Sequence, residues 1–378
     1  MGETGQEFPY EDFWMKIAQI APLAESVPPK LYGGTERIVS YLTEELVRQG
    51  HDVTLFASGD SQTSAELVPV TEMALRLNPK IIDPIPYHMM LLESVMRRAD
   101  EFDALHFHID ILHMPMVRDC LDRTVTTLHG RLDLPDLPVF YRAFPHHPLV
   151  SISDHQRAPM PPVNWARTIH HGLPADLLPP RLGAGAGYLA FLGRISPEKR
   201  PDRAIRIAAR SGLPLRIAAK IDTVDRLYWE TEIAPLLDRY PNVSFIGEIN
   251  ERQKAEFLGQ ASALLFPIDW PEPFGLVMIE AMACATPVIA FRCGSVPEII
   301  DEGVSGFIVE SEDEAVAAIA RLKDIDRRRV RAAFDARFTA ERMARDYISL
   351  YRGLPGARME AARLRRQRGA DADLQIVA

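Results

Sequence analysis

Asp269-Trp-Pro-Glu272-Pro-Phe-Gly-Leu-Val-Met-Ile-Glu280-Ala-Met-Ala-Cys-Ala-Thr-Pro287-Val-Ile-Ala290 is the stretch whose reading decides the fold. The apolar run from Ser262 to Phe266 ahead of it is a short strand. Two prolines, Pro271 and Pro273, keep the next residues out of a helix. Helical periodicity starts near Gly275 and runs to about Cys284, and Thr286-Pro-Val-Ile-Ala290 begins another strand. A loop that opens a helix in this way presents unpaired backbone N–H groups and a positive dipole end, which suit an anion. Glu272 stands in the loop and Glu280 in the helix, with seven residues between them. A carboxylate beside an anion site must face something other than the anion, and hydroxyl groups fit best.

A phosphate held beside polyhydroxyl groups describes a nucleotide sugar. Glu272 and Glu280 at this spacing, set in Glu-Pro-Phe-Gly-Leu and Glu280-Ala-Met-Ala-Cys, are followed by Thr286-Pro-Val-Ile-Ala and by Gly294-Ser-Val-Pro-Glu298-Ile-Ile. Together these segments resemble the E-x7-E signature of retaining glycosyltransferases, in particular glycosyltransferase family 4 (group 1) with the GT-B fold. The spacing alone is weak, because glutamates are common; the surrounding residues carry the resemblance, which covers the chain from Met15 to about Leu350. It implies an α/β protein of two Rossmann-like domains facing an interdomain cleft, with a C-terminal helix crossing back to the first domain. Ala285 departs from the family, which usually has glycine there.

At 378 residues the chain is long enough for two ordinary domains, and 25% charged with 47% hydrophobic residues describes a globular protein. A formal net charge of -9 argues against nucleic acid as a partner. No run of eighteen apolar residues occurs, so no membrane span is expected. Residues 1–14 are acidic and aromatic, unlike a secretory signal, and read as an N-terminal extension. Three cysteines, Cys120, Cys284 and Cys293, neither pair off nor show zinc spacing, so the cytoplasm is the expected compartment.

The first domain, residues 15–176, starts with a buried strand at Met15-Lys-Ile-Ala-Gln-Ile-Ala-Pro22. A glycine loop, Tyr32-Gly33-Gly34-Thr35, opens a helix with apolar positions Ile38, Val39, Leu42, Leu46 and Val47, and Asp52 to Ala57 is the second strand. In this βαβ unit Gly33 and Gly34 either let backbone approach a ligand or only shape the turn. Helical segments are expected around Pro79, Pro84 and Pro86, with a helix from Tyr87 to about Ala99. Asp103-Ala-Leu-His106-Phe-His108 and Thr124-Val-Thr-Thr-Leu-His129-Gly130 are strands ending in histidine, on the side where open α/β sheets bind ligands. His129 falls where the family has a histidine near the transferred sugar. His106, His108 and His113 can equally be cleft or structural residues. Leu149 to Ser153 and Thr168-Ile-His-His171-Gly172 read as the last strands of this domain; His171 stands where the family usually has asparagine.

Residues 177–187, rich in proline and glycine, form a linker, and the second domain occupies residues 188–338. Its first strand, Tyr188 to Gly193, leads into Arg194-Ile-Ser-Pro-Glu-Lys199 and a helix from Pro201 to Ser211. Two cations before a helix suit a diphosphate, since Arg grips oxygens in pairs and Lys supplies a point charge. The Lys220-Ile-Asp222 turn lacks the Gly-x-Gly of many relatives. A crossover helix at 339–352 precedes a basic tail, 353–378, expected to be flexible, with Arg358, Arg363, Arg365, Arg366 and Arg368. Such a tail could meet an anionic membrane, but residues 1–172 hold 14 Lys and Arg against 23 Asp and Glu, and membrane contact is not favoured.

The resemblance assigns donor binding to Gly34, Gly193, Arg194, Lys199, Glu272, Pro273, Phe274, Gly275, Leu276 and Glu280. It assigns catalysis to His129, Arg194, Lys199 and Glu272, and the acceptor side of the cleft to Gly33, Thr35, His106 and His108. Glu272 would hold sugar hydroxyls and Glu280 the nucleotide ribose. The donor is expected to be a UDP- or GDP-linked hexose, and the acceptor a hydroxyl on a carbohydrate, small molecule or lipid-linked compound. No cofactor or metal is expected, since no Asp-x-Asp stands at a strand end; Asp371-Ala-Asp373 lies in the tail. A nucleotide-sugar epimerase of the same fold and a non-catalytic sugar-nucleotide-binding protein are the alternatives.

Overall fold

The computed structural model describes residues 14–30, 33–183 and 185–357. The sequence expectations for residues 1–13, for Tyr32 and for the arginines from Arg358 onward lie outside the described residues. Two all-parallel sheets carry the structure. The first has the order β3-β2-β1-β4-β5-β6-β7, from β1 (Lys16–Ile20), β2 (Asp52–Ser58), β3 (Glu66–Thr71), β4 (Ala104–Phe107), β5 (Thr124–Thr127), β6 (Leu149–Ser151) and β7 (Trp165–Thr168). The second has the order β10-β9-β8-β11-β12-β13, from β8 (Leu189–Arg194), β9 (Leu215–Lys220), β10 (Val243–Gly247), β11 (Ala263–Phe266), β12 (Val288–Phe291) and β13 (Gly306–Val309). Each order runs outward from its first strand in both directions, which is the doubly wound Rossmann arrangement. The GT-B fold is thus present, and its two domains are both α/β.

Helices cover the sheets because parallel strands are apolar on both faces. In the first domain these are α1 (Gly34–Arg48), α2 (Ile85–Arg98) and α3 (Leu137–Ala143). In the second, α4 (Pro201–Ser211) is followed by α5 (Arg226–Tyr228), a π-helical turn (Trp229–Ile233) and α6 (Ala234–Arg239). Then come α7 (Glu251–Gly259), α8 (Leu276–Ala283), α9 (Val296–Ile299), α10 (Glu312–Ala320), α11 (Arg327–Arg337) and α12 (Ala340–Gly353). Among the described residues no helix is long and apolar enough to cross a membrane.

Three features differ from the sequence expectations. The strand β3 was not foreseen: Pro69 interrupts Glu-Leu-Val-Pro-Val-Thr, which is tolerable only because β3 is an edge strand. Pro86 lies inside the first turn of α2, where its missing N–H costs nothing. The last strand of the first sheet is Trp165–Thr168, so Ile169 to Gly172 follow it rather than form it. The proline- and glycine-rich segment after the first domain is not a loose tether. Leu178 is fully buried, the Arg181 N–H donates to the Cys284 carbonyl at 3.0 Å, and the Ala186 N–H donates to the Gln260 carbonyl at 2.6 Å.

The last helix returns to the first sheet. Met343, Tyr347 and Tyr351 of α12 share one core with Ile17 of β1 and Ile38 and Leu42 of α1. Burying two tyrosines there requires partners for their hydroxyls. The Thr127 and Tyr347 hydroxyls lie 2.8 Å apart, and the Tyr351 hydroxyl meets His106 Nδ1 at 2.7 Å. Ala285, in place of the family's glycine, has φ 62 just past the end of α8. That position explains the usual glycine, since a Cβ there carries strain.

Five histidines, His106, His108, His113, His147 and His171, are buried. Burial holds each imidazole below its ordinary value, His147 down to about 4. Their folded-state affinity for protons is depressed, so their contribution to stability is full above the unfolded value near 6.5 and is lost as pH falls below it. Each such group costs about 1.4 kcal/mol per pH unit in that range. Urea unfolding should therefore give a midpoint nearly level above pH 7 that drops steeply between pH 6.5 and 5. A midpoint that stays level down to pH 5 would contradict neutral burial.

Candidate active site

Strand order reverses between β1 and β4 in the first sheet and between β8 and β11 in the second. Crevices for ligands open at the carboxyl ends of the strands at such switch points. The ends of those four strands, with the loops that leave them and the start of α1, carry Gly33 to Thr35, His108, Arg194 to Lys199 and Glu272. Topology thus gathers most residues singled out from the sequence without any appeal to their chemistry.

On the second-domain side, Lys199 Nζ and Glu272 Oε2 are in direct contact. The indole N–H of Trp270 donates to the same Oε2 at 3.0 Å, and Lys199 also lies over the Trp270 ring at 5.1 Å. Among the described residues nothing bonds Glu272 Oε1. Arg194 is set among carboxylates: its Nη2 reaches Glu198 at 2.7 Å, and Asp222 and Asp225 are each 3.8 Å away. The sequence suggested two cations facing an open anion site; both are instead engaged by acids, and an anionic ligand must compete for them. Gly193 is the penultimate residue of β8, and among the described residues only the Phe191 ring, at 3.9 Å, would meet a Cβ there.

The Glu272 loop is braced from both domains. Ser153 Oγ of the first domain donates to the Pro273 carbonyl at 2.6 Å. Ser295 N–H donates to the Glu272 carbonyl at 3.1 Å, and its Oγ to the Phe274 carbonyl at 2.7 Å. Phe274 is buried. Gly275, at φ 79, caps α8 and places Leu276 at its start. Gly294, at φ 56, lies so close that a Cβ would sit 2.4 Å from the Glu272 carbonyl oxygen. This is the physical reason for glycine in Gly294-Ser-Val-Pro-Glu298. Glu298 itself crosses to the first domain and accepts the N–H groups of Asp154 and His155 at 2.7 and 2.8 Å.

Glu280 is 6% exposed, and its Oε1 accepts from Lys254 Nζ at 2.7 Å. Lys254 also approaches Glu251 at 3.4 Å, and Glu251 pairs at 2.8 Å with Arg37 of α1, across the cleft. Burial opposes the Lys254 charge, but Glu280 and Glu251 lift its ammonium above the ordinary value. Each glutamate of the pair therefore commits one oxygen to a lysine, and among the described residues no partner bonds the other oxygen.

On the first-domain side, Gly33 caps α1 and Gly34 begins it, its Cβ position 3.8 Å from the Leu276 side chain, so the two helix starts face each other. Thr35, His108 and His129 line a cavity of about 290 Å³ together with His88, Asp110 and Gly130. A larger cavity, about 620 Å³, lies near Leu350 and Leu354 and contains none of the predicted site residues. His106 corrects an expectation: it is fully buried, with Nδ1 on Tyr351 and Nε2 on Thr127 at 2.7 Å, and does not reach the cleft. The returning helix α12 covers that face of β4.

A hydrogen-bonded chain fixes the state of His129. Gln19 donates through Nε2 to the Tyr351 hydroxyl at 3.2 Å, so its Oε1 faces His108 Nε2 at 2.8 Å and accepts from it. His108, neutral by burial, then accepts through Nδ1, and His129 Nε2 donates to it at 2.8 Å. Among the described residues His129 Nδ1 is left enclosed and without a partner. Enclosure holds the His129 imidazole down to about 3. His129 therefore meets a ligand as a neutral ring with no proton to give. The His171 ring stacks on it at 5.2 Å and touches Phe274 at 4.9 Å, linking His129 to the Glu272 loop. Sequence reasoning missed Gln19, Arg37, Asp110, Lys254 and Trp270. Only Trp270, inside the quoted stretch, carried a local signal.

Residues 181–337 match the model for glycosyl transferases group 1, and residues 32–169 that for glycosyltransferase family 4. The D-inositol 3-phosphate glycosyltransferase of Mycolicibacterium smegmatis is 27% identical over 339 residues, covering 74% of this chain and 76% of that protein. Sucrose-phosphate synthase from Thermosynechococcus elongatus superposes with a TM-score of 0.71 at 20% identity, over 90% of this chain and 99% of that one. An Anabaena protein solved in complex with UDP and glucose superposes with a TM-score of 0.69 at 17% identity, over 90% and 100%. These structural likenesses speak to the fold.

Gly294→Ala should displace the Glu272 loop, because the added Cβ meets backbone at a positive φ rather than a side chain that can yield. Turnover is expected to fall at least about tenfold, equivalent to about 1.4 kcal/mol, with the circular dichroism spectrum unchanged. Wild-type turnover in this variant would mean that the loop's placement does not matter.

Proposed function

The chain belongs to the group 1 glycosyltransferases of family 4, and from that premise we propose that it moves a hexose, with retention of configuration, from a UDP- or GDP-linked donor to a hydroxyl acceptor. The observation that carries this reading is the contact between Lys199 and Glu272 at the switch point of the second sheet, beside the start of α8. Lys199 and Arg194 turn from their carboxylates to the donor diphosphate and stabilise it as it departs, a preorganised electrostatic role. Glu272, with Oε1 available, takes sugar hydroxyls. Glu280, held by Lys254, offers its second oxygen to the ribose. No side chain is assigned as nucleophile, so departure and attack occur on one face, and the diphosphate oxygen takes the acceptor proton. The cations make a divalent metal unnecessary. UDP is the first nucleotide to try, given the ligand of the Anabaena neighbour. A cytoplasmic site of action fits nucleotide-sugar supply.

The two glutamates should fail differently. Glu280→Gln should weaken binding of free nucleoside diphosphate, because the ribose is present in it; a hydrogen bond to a charged group contributes roughly 1.5–3 kcal/mol. Glu272→Gln should leave that binding nearly intact and instead depress turnover and blur the choice between glucose and galactose donors. Calorimetry reads the first effect, and time-resolved NMR of the product reads the second together with the anomer, expected α from an α-linked donor. The opposite assignment of effects, or an inverted product, would reject the proposed roles.

A further inference from the structure

Asp110 ends the loop that leaves β4 and lines the 290 Å³ cavity with Thr35, His88, His108, His129 and Gly130. Its backbone has φ 53, a left-handed conformation that few residues other than glycine adopt and that Asp and Asn tolerate best. Such conformations gather at functional sites. The residue is exposed to solvent where it lines the cavity. Asp110 takes part in no hydrogen bond or ion pair with any described residue, although most other acids near the cleft are paired.

Among the described residues no Lys or Arg lines this cavity. His108 and His129 are held neutral by their surroundings. The start of α1 could attract an anion, but its first turn already contains the buried Glu36. A phosphate placed here would meet a carboxylate with no cation to offset it. A hydroxyl group, in contrast, can donate to Asp110.

We infer that Asp110 binds the acceptor and makes this pocket select a hydroxyl compound without phosphate over its phosphorylated counterpart. The inference rests on the glycosyltransferase reading above. It sets this chain apart from the Mycolicibacterium smegmatis relative, whose name specifies a phosphorylated polyol.

The test uses the full chain at pH 8 with UDP-glucose and GDP-mannose as donor probes. Each is offered myo-inositol and glucose beside inositol 3-phosphate and glucose 6-phosphate. The uncharged member of a pair is expected to be used with a kcat/KM at least tenfold higher. Asp110→Asn, which suits the same backbone conformation, should lower kcat/KM for the uncharged acceptor at least tenfold and narrow its advantage over the phosphorylated one. The variant's dissociation constant for UDP, read by calorimetry, should be unchanged, and Asp110→Glu should restore part of the loss. A phosphorylated acceptor used better than its uncharged partner would overturn the inference. So would an Asp110→Asn variant with unaltered acceptor kinetics. Failure of the underlying reading has a different signature: neither donor is bound or hydrolysed.

Discussion

The contact between Lys199 and Glu272 sets the chemistry of the cleft. A lysine and a glutamate held together while shielded from water would ordinarily be a modest stabilising pair, because desolvation offsets their attraction. Here the pair is completed by the Trp270 N–H, and the loop is fixed through its carbonyls: Ser295 N–H donates to Glu272, Ser153 Oγ to Pro273 and Ser295 Oγ to Phe274, with Gly294 packed against it. The loop cannot relax away from the lysine. A cation and a carboxylate are thus presented side by side, one suited to phosphate and the other to hydroxyl groups.

That arrangement depends on both domains. Ser153 Oγ and the Asp154 N–H of the first domain donate across the boundary to the Pro273 carbonyl and the Glu298 carboxylate of the second, and Arg37 of α1 reaches Glu251. Helix α12 contributes from a distance: Tyr351 holds Gln19, Gln19 holds His108, and His108 holds His129. A helix at the end of the described chain therefore fixes the protonation of a ring that faces the first-domain cavity. The segment between the domains is strapped to the second one by Arg181 and Ala186, so relative motion must be absorbed elsewhere.

Much of this was legible in the sequence where the signal is local. The quoted stretch gave a strand, loop and helix within a residue or two, because two prolines and a glycine bracket it. Helix α4 was bounded at Pro201 and Ser211, where Gly212 at φ 74 ends it. Edge strand β3 was hidden because Pro69 and exposed positions mask its alternation. His106 was misplaced because a strand's sequence does not say which face a helix some 240 residues later will cover. Arg37, Lys254 and Gln19 act through partners far along the chain, and Asp110 is a lone acid whose meaning is its backbone conformation and its cavity. Such features belong to tertiary structure, and no period or motif announces them.

The measurement that bears most directly on the role of the Lys199–Glu272 pair is the kinetics of Lys199→Ala beside its affinity for the intact donor. On the proposed placement of the diphosphate at Lys199, the leaving group gains charge only as the bond breaks, so the cation would matter most in the transition state. Losing one preorganised donor of this type costs about 3 kcal/mol. The expected result is a kcat lowered about a hundredfold, with the dissociation constant for the nucleotide sugar changed far less. An unchanged kcat in a folded Lys199→Ala variant would contradict the placement of the diphosphate at this lysine.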